Sequence, residues 1–346
     1  MQMNKLGRTD IRVSRICMGT MTFGGQNDEA ESFAFMDMCA EHGVNFYDSA
    51  EMYTFPADPK TQGMSEEILG KWIKARGNRS DVVVATKITG PGPRFNHIRG
   101  GDLKFTKAQI SEAVDNSLRR LGTDCIDLYQ THWPERDANY FGKLGYAHHP
   151  DNTGWTPIAE VVDAMEDQIK AGKIRSFGLS NETPWGVMEH LTKAGDRSAR
   201  AVSIQNPYNL LNRTFEVGLA EMAIHEDVGL FGYSPLGFGA LTGKYLNGGL
   251  PDGSRLKLFP DFKRHFKPRG IEATERYLEL AHKYDLDLTV MALAFVNSRP
   301  FLVSNIIGAT TLEQLRTNLS SEDVVLSDEI LAEIDAIHAD IPNPAP

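Results

Sequence analysis

Met18-Gly19-Thr20-Met21-Thr22-Phe23-Gly24-Gly25 follows the first β-branched run of the chain, and its glycine spacing decides between two architectures. An open, doubly wound sheet ordinarily carries a G-x-G-x-x-G turn after its first strand, which lets the backbone approach a pyrophosphate. That spacing is missing here. Outward from this stretch, β-branched runs at 15–18, 44–48, 82–87, 125–130, 176–180, 201–205, 229–234 and 303–308 alternate with helix-periodic stretches. The helical stretches are 29–42, 65–76, 106–121, 157–171, 184–194, 215–226 and a longer region, 271–298. Thr106 and Pro184 stand where helices begin; Gly43, Gly122 and Gly172 stand where they end. Eight strands alternating with helices, and no such turn, predict a closed α/β fold, a (β/α)8 TIM barrel. Residues 1–346 read as one domain. An N-terminal β-hairpin over 4–13, turning at Gly7-Arg8-Thr9-Asp10, plugs one end. Long βα loops at 88–105, 134–156 and 237–270 crowd the C-terminal face. A helix at 328–339 and a Pro-rich tail at 341–346 complete the pattern.

Composition narrows the partners. Acidic residues outnumber basic ones, 46 to 36, for a net charge of −10. A nucleic-acid binder would carry a basic stripe, so no nucleic-acid partner is expected. An anionic ligand must then be held by locally placed cations or backbone N–H groups. Cys17, Cys39 and Cys125 are too few and too scattered for a disulfide framework or a zinc motif. With no apolar leader in 1–6 and no run of about 20 apolar residues, the expectation is a soluble, cytoplasmic protein without a membrane partner.

The strand ends carry the chemistry. Asp48, Lys87, His132, Ser180-Asn181, Gln205-Asn206, Tyr233-Ser234 and Gly308 close successive strands, and a closed barrel brings those positions to one mouth. Tyr53 lies five residues beyond Asp48, within reach of that mouth. A tyrosine hydroxyl, with a pKa of about 10, is a poor acid at neutral pH unless a neighbouring ammonium stabilises its phenolate. Lys87 would supply that ammonium, Asp48 would neutralise it, and His132 would orient a substrate oxygen. Such a set suits protonation of a carbonyl oxygen. No side chain donates hydride, so a nicotinamide cofactor is implied. Singly, each residue has a plainer reading: Tyr53 as a rim aromatic, Asp48 as a turn cap, His132 as a satisfied core histidine. Lys87 resists one, because a lysine ending an apolar strand needs a charge partner.

Two decoys are set aside. Gly237-Phe238-Gly239-Ala240-Leu241-Thr242-Gly243-Lys244 misses both the dinucleotide and the P-loop glycine spacing. His148-His149 with Asp151 lacks a third ligand, so no metal site is expected, and a metal-dependent barrel hydrolase finds no ligand set.

The chain resembles the aldo-keto reductase superfamily over almost its whole length, and within it the bacterial branch related to potassium-channel β subunits. The resemblance is carried by Leu6-Gly7-Arg8-Thr9, Asn45-Phe46-Tyr47-Asp48-Ser49-Ala50, Ala85-Thr86-Lys87 and Asp127-Leu128-Tyr129-Gln130-Thr131-His132-Trp133-Pro134. Gly178-Leu179-Ser180-Asn181, Gln205-Asn206-Pro207-Tyr208-Asn209, Tyr233-Ser234-Pro235-Leu236 and Ile307-Gly308-Ala309 continue it. It implies catalysis by Tyr53, Lys87, Asp48 and His132, with NADPH/NADP+ as cofactor. Ser180, Asn181 and Gln205 would hold the carboxamide, and Tyr233 would stack on the ring. Ser234, Pro235, Leu236, Gly237, Phe238 and Gly239 would wrap the pyrophosphate, with Lys244 and Arg255 as cationic contacts. Gly308, Thr310, Gln314 and Asn318 would take the adenosine end. Many members place an arginine where this chain has Gln314, while the channel-related branch also uses glutamine. Preference for NADPH therefore leans on Lys244, Arg255 and Arg316.

Two functions follow: reduction of a small aldehyde or ketone to the alcohol, or an NADP(H)-binding interaction or sensor module with weak catalysis. Phe23, Tyr53, Phe95, Trp133, Phe141, Tyr146 and Trp155 are the candidate pocket aromatics. Nothing in the sequence sets the oligomeric state or names the substrate.

Overall fold

The computed structural model describes residues 1–346. It opens with the expected hairpin, β1 (Met3–Lys5) pairing antiparallel with β2 (Arg12–Ser14). Gly7 makes the turn at φ +52°, and a Cβ there would sit 2.8 Å from the carbonyl oxygen of Val202. The close approach as well as the backbone conformation therefore requires glycine.

Eight parallel strands follow: β3 (Ile16–Gly19), β4 (Phe46–Asp48), β5 (Val83–Ile88), β6 (Ile126–Thr131), β7 (Ile174–Ser180), β8 (Ser203–Pro207), β9 (Gly229–Tyr233) and β10 (Leu302–Ile307). They pair in chain order and close where β10 meets β3, giving the TIM barrel. The helices alternating with them are α1 (Glu29–Glu41), α2 (Met64–Arg76), α3 (Lys107–Leu121), α4 (Ile158–Lys170), α5 (Pro184–Ala194) and α6 (Leu219–His225). A short α7 (Arg255–Leu258) lies in the loop after β9, ahead of α8 (Pro268–Lys283) and α9 (Leu288–Asn297); α10 (Leu312–Ser320) and α11 (Asp328–Asp340) follow β10. No helix is long and apolar enough to cross a membrane.

Local chemistry sets the helix ends. The Asp28 carboxylate accepts from the Glu31 N–H while Glu31 reaches back to the Asp28 N–H, a reciprocal cap on α1. Thr106 caps α3, and Thr183 caps α5 with Pro184 in the first turn. The long 271–298 region is two helices rather than one. Asp285 turns at φ +54°, and Asp287 caps α9 by accepting from Val290 N–H. The 215–226 stretch also divides, at Gly218, into a 3-10 turn and α6.

Strand alternation builds two layers inside the barrel. Cys17, Phe46, Val83, Ala85, Leu128, Phe231 and Val303 pack inward with Leu6, Ile11 and Val13 of the hairpin, so the plug completes an apolar lower layer. Alternate residues face the helices instead: Tyr47 packs on Trp72 at 5.1 Å, and Thr86 donates to Glu66 at 2.6 Å. Toward the C-terminal ends the inward residues turn polar, and that upper layer is where the site lies.

Candidate active site

Asp48 and Lys87 stand on adjacent strands with their side chains in the barrel, both essentially inaccessible. The Lys87 ammonium donates to Asp48 Oδ2 at 2.6 Å and to the Ser49 carbonyl at 2.7 Å. Asp48 Oδ1 accepts from Gln205 Nε2 at 2.9 Å and from Gln130 Nε2 at 3.2 Å. A buried charge pair is tolerated only when its remaining lone pairs and protons are satisfied. Here the two glutamines complete the carboxylate, and one ammonium proton stays uncommitted.

That ammonium lies 5.0 Å from the centre of the Tyr53 ring, and the ring edge meets His132 at 5.7 Å between centroids. Tyr53, Lys87, Asp48 and His132 are thus brought to one place, as the strand ends predict. Burial raises the Tyr53 hydroxyl above its usual range, while Lys87 pulls the other way. The sign expected for lysine holds, but desolvation outweighs it, and the phenol stays protonated at neutral pH. Burial first, and then the Lys87 charge, push His132 well below the ordinary histidine range. Its ring is neutral, and its buried Nδ1 has no hydrogen-bond partner.

Beside the tetrad, Asn181 Nδ2 donates to the His132 carbonyl at 2.9 Å and to Ser180 Oγ at 3.1 Å; Ser180 Oγ donates to the Gln205 carbonyl at 2.9 Å. Tyr233 Oη donates to Asn181 Oδ1 at 2.6 Å. Ser180, Asn181, Gln205 and Tyr233 therefore form one shelf next to the tyrosine. Beyond it the chain after β9 is repeatedly left-handed: Ser234, Gly237, Phe238, Gly239 and Gly243 all have φ between +53° and +91°. Pro235 and Leu236 lie inside this coil, which closes with the Gly237 N–H donating to the Ser234 carbonyl at 2.9 Å. Gly239 would bring a Cβ 3.0 Å from Lys244 Cε, so the lysine stem packs on its backbone.

Arg255 lies over the Phe238 ring at 5.5 Å; its Nη1 is buried without a partner, and burial holds its guanidinium below the usual range. A largely desolvated arginine with an unspent donor is the chemistry of an anion site. At the next strand end, Gln314 Oε1 accepts from the Thr310 N–H at 3.0 Å, and Asn318 Nδ2 donates to the Gly308 carbonyl at 3.0 Å. A Cβ on Gly308 would meet nothing within 4 Å, so open space lies above it. Polar shelf, left-handed coil, unpaired arginine and this open end suit an elongated, anionic cofactor.

One sequence reading changes: Phe23 is fully buried in the core against Phe35 at 6.3 Å, while Phe141, Tyr146 and Trp155 line a cavity beside the mouth. Sequence reasoning missed the Glu51–Arg99 pair. Glu51, two residues before Tyr53, accepts from Arg99 Nε and from the Thr89 N–H, each at 2.9 Å, tying the tyrosine's loop to the one after β5. An acid beside the tyrosine and an arginine amid glycines were its only signals. His148 and His149 lie exposed in the 134–156 loop.

An eight-stranded barrel with a buried lysine–aspartate pair beneath a tyrosine at its C-terminal mouth defines the class of an oxidoreductase barrel. The aldo/keto reductase family model matches residues 15–339, and the chain belongs to that family. It is 45% identical over 347 residues to Protein tas of Escherichia coli (strain K12), covering 100% of both chains. A probable voltage-gated potassium channel subunit beta of Arabidopsis thaliana is 32% identical, over 94% of this chain and 92% of that one. At the same identity, an NADH-specific methylglyoxal reductase of Escherichia coli matches 93% of this chain and 94% of its own. Membership makes the class of chemistry NAD(P)H-dependent reduction of small carbonyl compounds.

Proposed function

We propose that the protein reduces aldehydes or ketones to alcohols with NADPH, and that Tyr53 is the proton donor. The observation that carries this reading is the satisfied Lys87–Asp48 pair beside a protonated phenol and a neutral imidazole. A nicotinamide, when bound, supplies the hydride. Tyr53 holds a proton for the carbonyl oxygen, and Lys87 stabilises the phenolate left behind with its uncommitted N–H. Asp48 keeps that ammonium charged and fixed, with Gln130 and Gln205 holding the carboxylate. His132, being neutral, donates one N–H to the same oxygen and sets the carbonyl's direction.

Ser180, Asn181 and Gln205 would hold the carboxamide, and Tyr233 would lie against the ring. Ser234, Pro235, Leu236, Gly237, Phe238 and Gly239 would offer backbone N–H groups to the pyrophosphate, with Lys244 and Arg255 neutralising it. Gly308, Thr310, Gln314 and Asn318 would receive the adenosine end. Arg255, Lys244 and Arg316, none of them in an ion pair, support NADPH over NADH; the relative printed as NADH-specific makes that preference the point to measure. The composition and single barrel domain suit a cytoplasmic enzyme.

The test is NADPH and NADH oxidation with an activated aromatic aldehyde, comparing wild type with Tyr53→Phe. Turnover should fall roughly 10²- to 10⁴-fold, the usual worth of a positioned acid. Unchanged turnover would remove Tyr53 from the role. Arg255→Leu should raise KM for NADPH about tenfold while leaving kcat near wild type. Tight NADPH binding with no turnover on any carbonyl would instead support the cofactor-sensing module, which the channel-subunit relative makes the second reading.

A further inference from the structure

A cavity of about 960 Å³ opens beside the barrel mouth, roofed by the 134–156 loop and floored by the ends of β7 and β8. Its volume is at the upper end of ordinary small-molecule sites. Five of the large apolar side chains that the chain leaves exposed gather on it: Phe141, Leu144, Tyr146, Trp185 and Val217. Single exposed apolar residues are commonplace, but a cluster on one concavity marks a binding surface. At its floor is Asn206, about nine-tenths buried. Its Nδ2 donates to the Glu182 carbonyl at 3.1 Å, while its Oδ1 has no partner. A buried amide oxygen left unpaired is destabilising, and a ligand donor would offset that.

Residues of the cavity lining connect it to the reaction site in two places. Asn181 lines it, and the same amide holds the His132 carbonyl and accepts from Tyr233. Tyr140 and Phe141 line it too. Tyr140 and Tyr53 both pack against the small apolar cluster that contains Met52 and Trp133, and Phe141 meets Trp133 at 5.7 Å. On the outer wall, Trp185 is held by the Arg136 guanidinium 4.8 Å above its ring, and Arg136 is itself paired with Glu182. The Arg136 and Glu182 charges near the floor are thus paired with each other, beside an apolar wall and the Asn206 acceptor, while Asp137 and Lys143 lie on the roofing loop.

We propose that this cavity is the distal half of the substrate site. It takes the apolar, aromatic-sized arm of an elongated aldehyde or ketone and reads an O–H or N–H on that arm with Asn206 Oδ1. The inference rests on the reductase reading above, and it names the substrate class: long, largely apolar carbonyl compounds with a distal hydrogen-bond donor.

The experiment compares benzaldehyde with 4-(4-hydroxybenzyloxy)benzaldehyde, which keeps the reacting end and adds a hydroxyl-tipped arm. Wild type should favour the long compound at least tenfold in kcat/KM. Asn206→Leu should lower kcat/KM for it about tenfold, through KM, and leave benzaldehyde within twofold. Trp185→Ala, at an exposed position, should raise KM for the long compound severalfold and serves if Asn206→Leu does not fold. Equal losses on both aldehydes, or no change on either, would overturn the proposal. So would a change of particle mass by light scattering in Trp185→Ala, which would make this face a contact between copies. If wild type turns over neither aldehyde, the reductase reading fails separately. The cavity is then decided by calorimetric titration of the 4-methyl analogue, which lacks the carbonyl, in the presence of NADP+. Binding weakened about tenfold by Asn206→Leu upholds the cavity, and absence of binding to wild type refutes it.

Discussion

Asp48 accepts from three side chains and carries a full charge in a place that water does not reach. Its value to the enzyme is therefore inseparable from its risk to the fold. Removing one partner of such a pair leaves an uncompensated buried charge, at a cost of about 3–5 kcal/mol. Lys87→Met should accordingly lose turnover and also lower the unfolding free energy from urea denaturation by that amount. The double variant Asp48→Asn, Lys87→Met removes both charges and should recover much of the stability but none of the activity. A double variant as unstable as the single one would show that packing, not charge, dominates the position. The residue types of this tetrad were legible in the sequence because each ends a strand, or lies close beyond one, in an otherwise apolar context. The balance at Tyr53 was not, since it depends on how much protein surrounds the phenol.

Elements differ in how openly they announce themselves. Helix α5 has the bounds its apolar spacing and Pro184 predict, because cap, first-turn proline and periodicity agree. Helix α10 escaped notice although Thr311 caps it and Leu315 and Leu319 are buried; apart from Leu312 its exposed side chains are polar, and it is short. Helices α8 and α9 run together in the sequence because both are strongly periodic, and only a left-handed Asp285 separates them. The loops after β4 and β5 are clamped by the Glu51–Arg99 pair, with both side chains about 1% exposed. Arg99→Met should leave Glu51 buried with only the Thr89 N–H, destabilise the protein by about 3–5 kcal/mol, and open 88–105 to limited proteolysis. Proteolysis unchanged from wild type would show that the loop is held by its own glycines and aromatics instead.

At the scale of the molecule, closure of the barrel and its plug act together. Leu6 is fully buried in the lower layer, so Leu6→Ala should cost about 2–5 kcal/mol while leaving kcat largely unchanged, because the site lies at the opposite end. A second whole-molecule effect comes from histidines buried uncharged. His132, His190 and His265 are all pushed down by burial, His265 to about 3. Unfolded, each takes up a proton near pH 6.5, whereas the folded chain does not. The unfolded state then binds more protons, and stability must fall as pH drops below about 6.5, for His265 down to about 3. The melting temperature should decline across that window, and His265→Asn should flatten the decline. A melting temperature independent of pH between 7 and 4 would contradict these burial assignments.

Strand number, alternation with helices, the missing glycine turn and the polar strand ends are all local or periodic properties. The sequence by itself therefore determined a closed barrel with its chemistry at one mouth. Other features depend on residues far apart in the chain meeting at fixed distances. Gln130 and Gln205 share one carboxylate oxygen of Asp48 from two different strands. Glu51 finds Arg99 across two loops. Phe23 turns into the core although its neighbours suggest a rim, and Asn206 is left with an unpaired oxygen beneath a cavity. Solvent exclusion sets the protonation of Tyr53 and His132, and exclusion is a property of the surroundings as a whole. Periodicity records which face a residue presents; only tertiary packing decides what that face meets and how much water remains there.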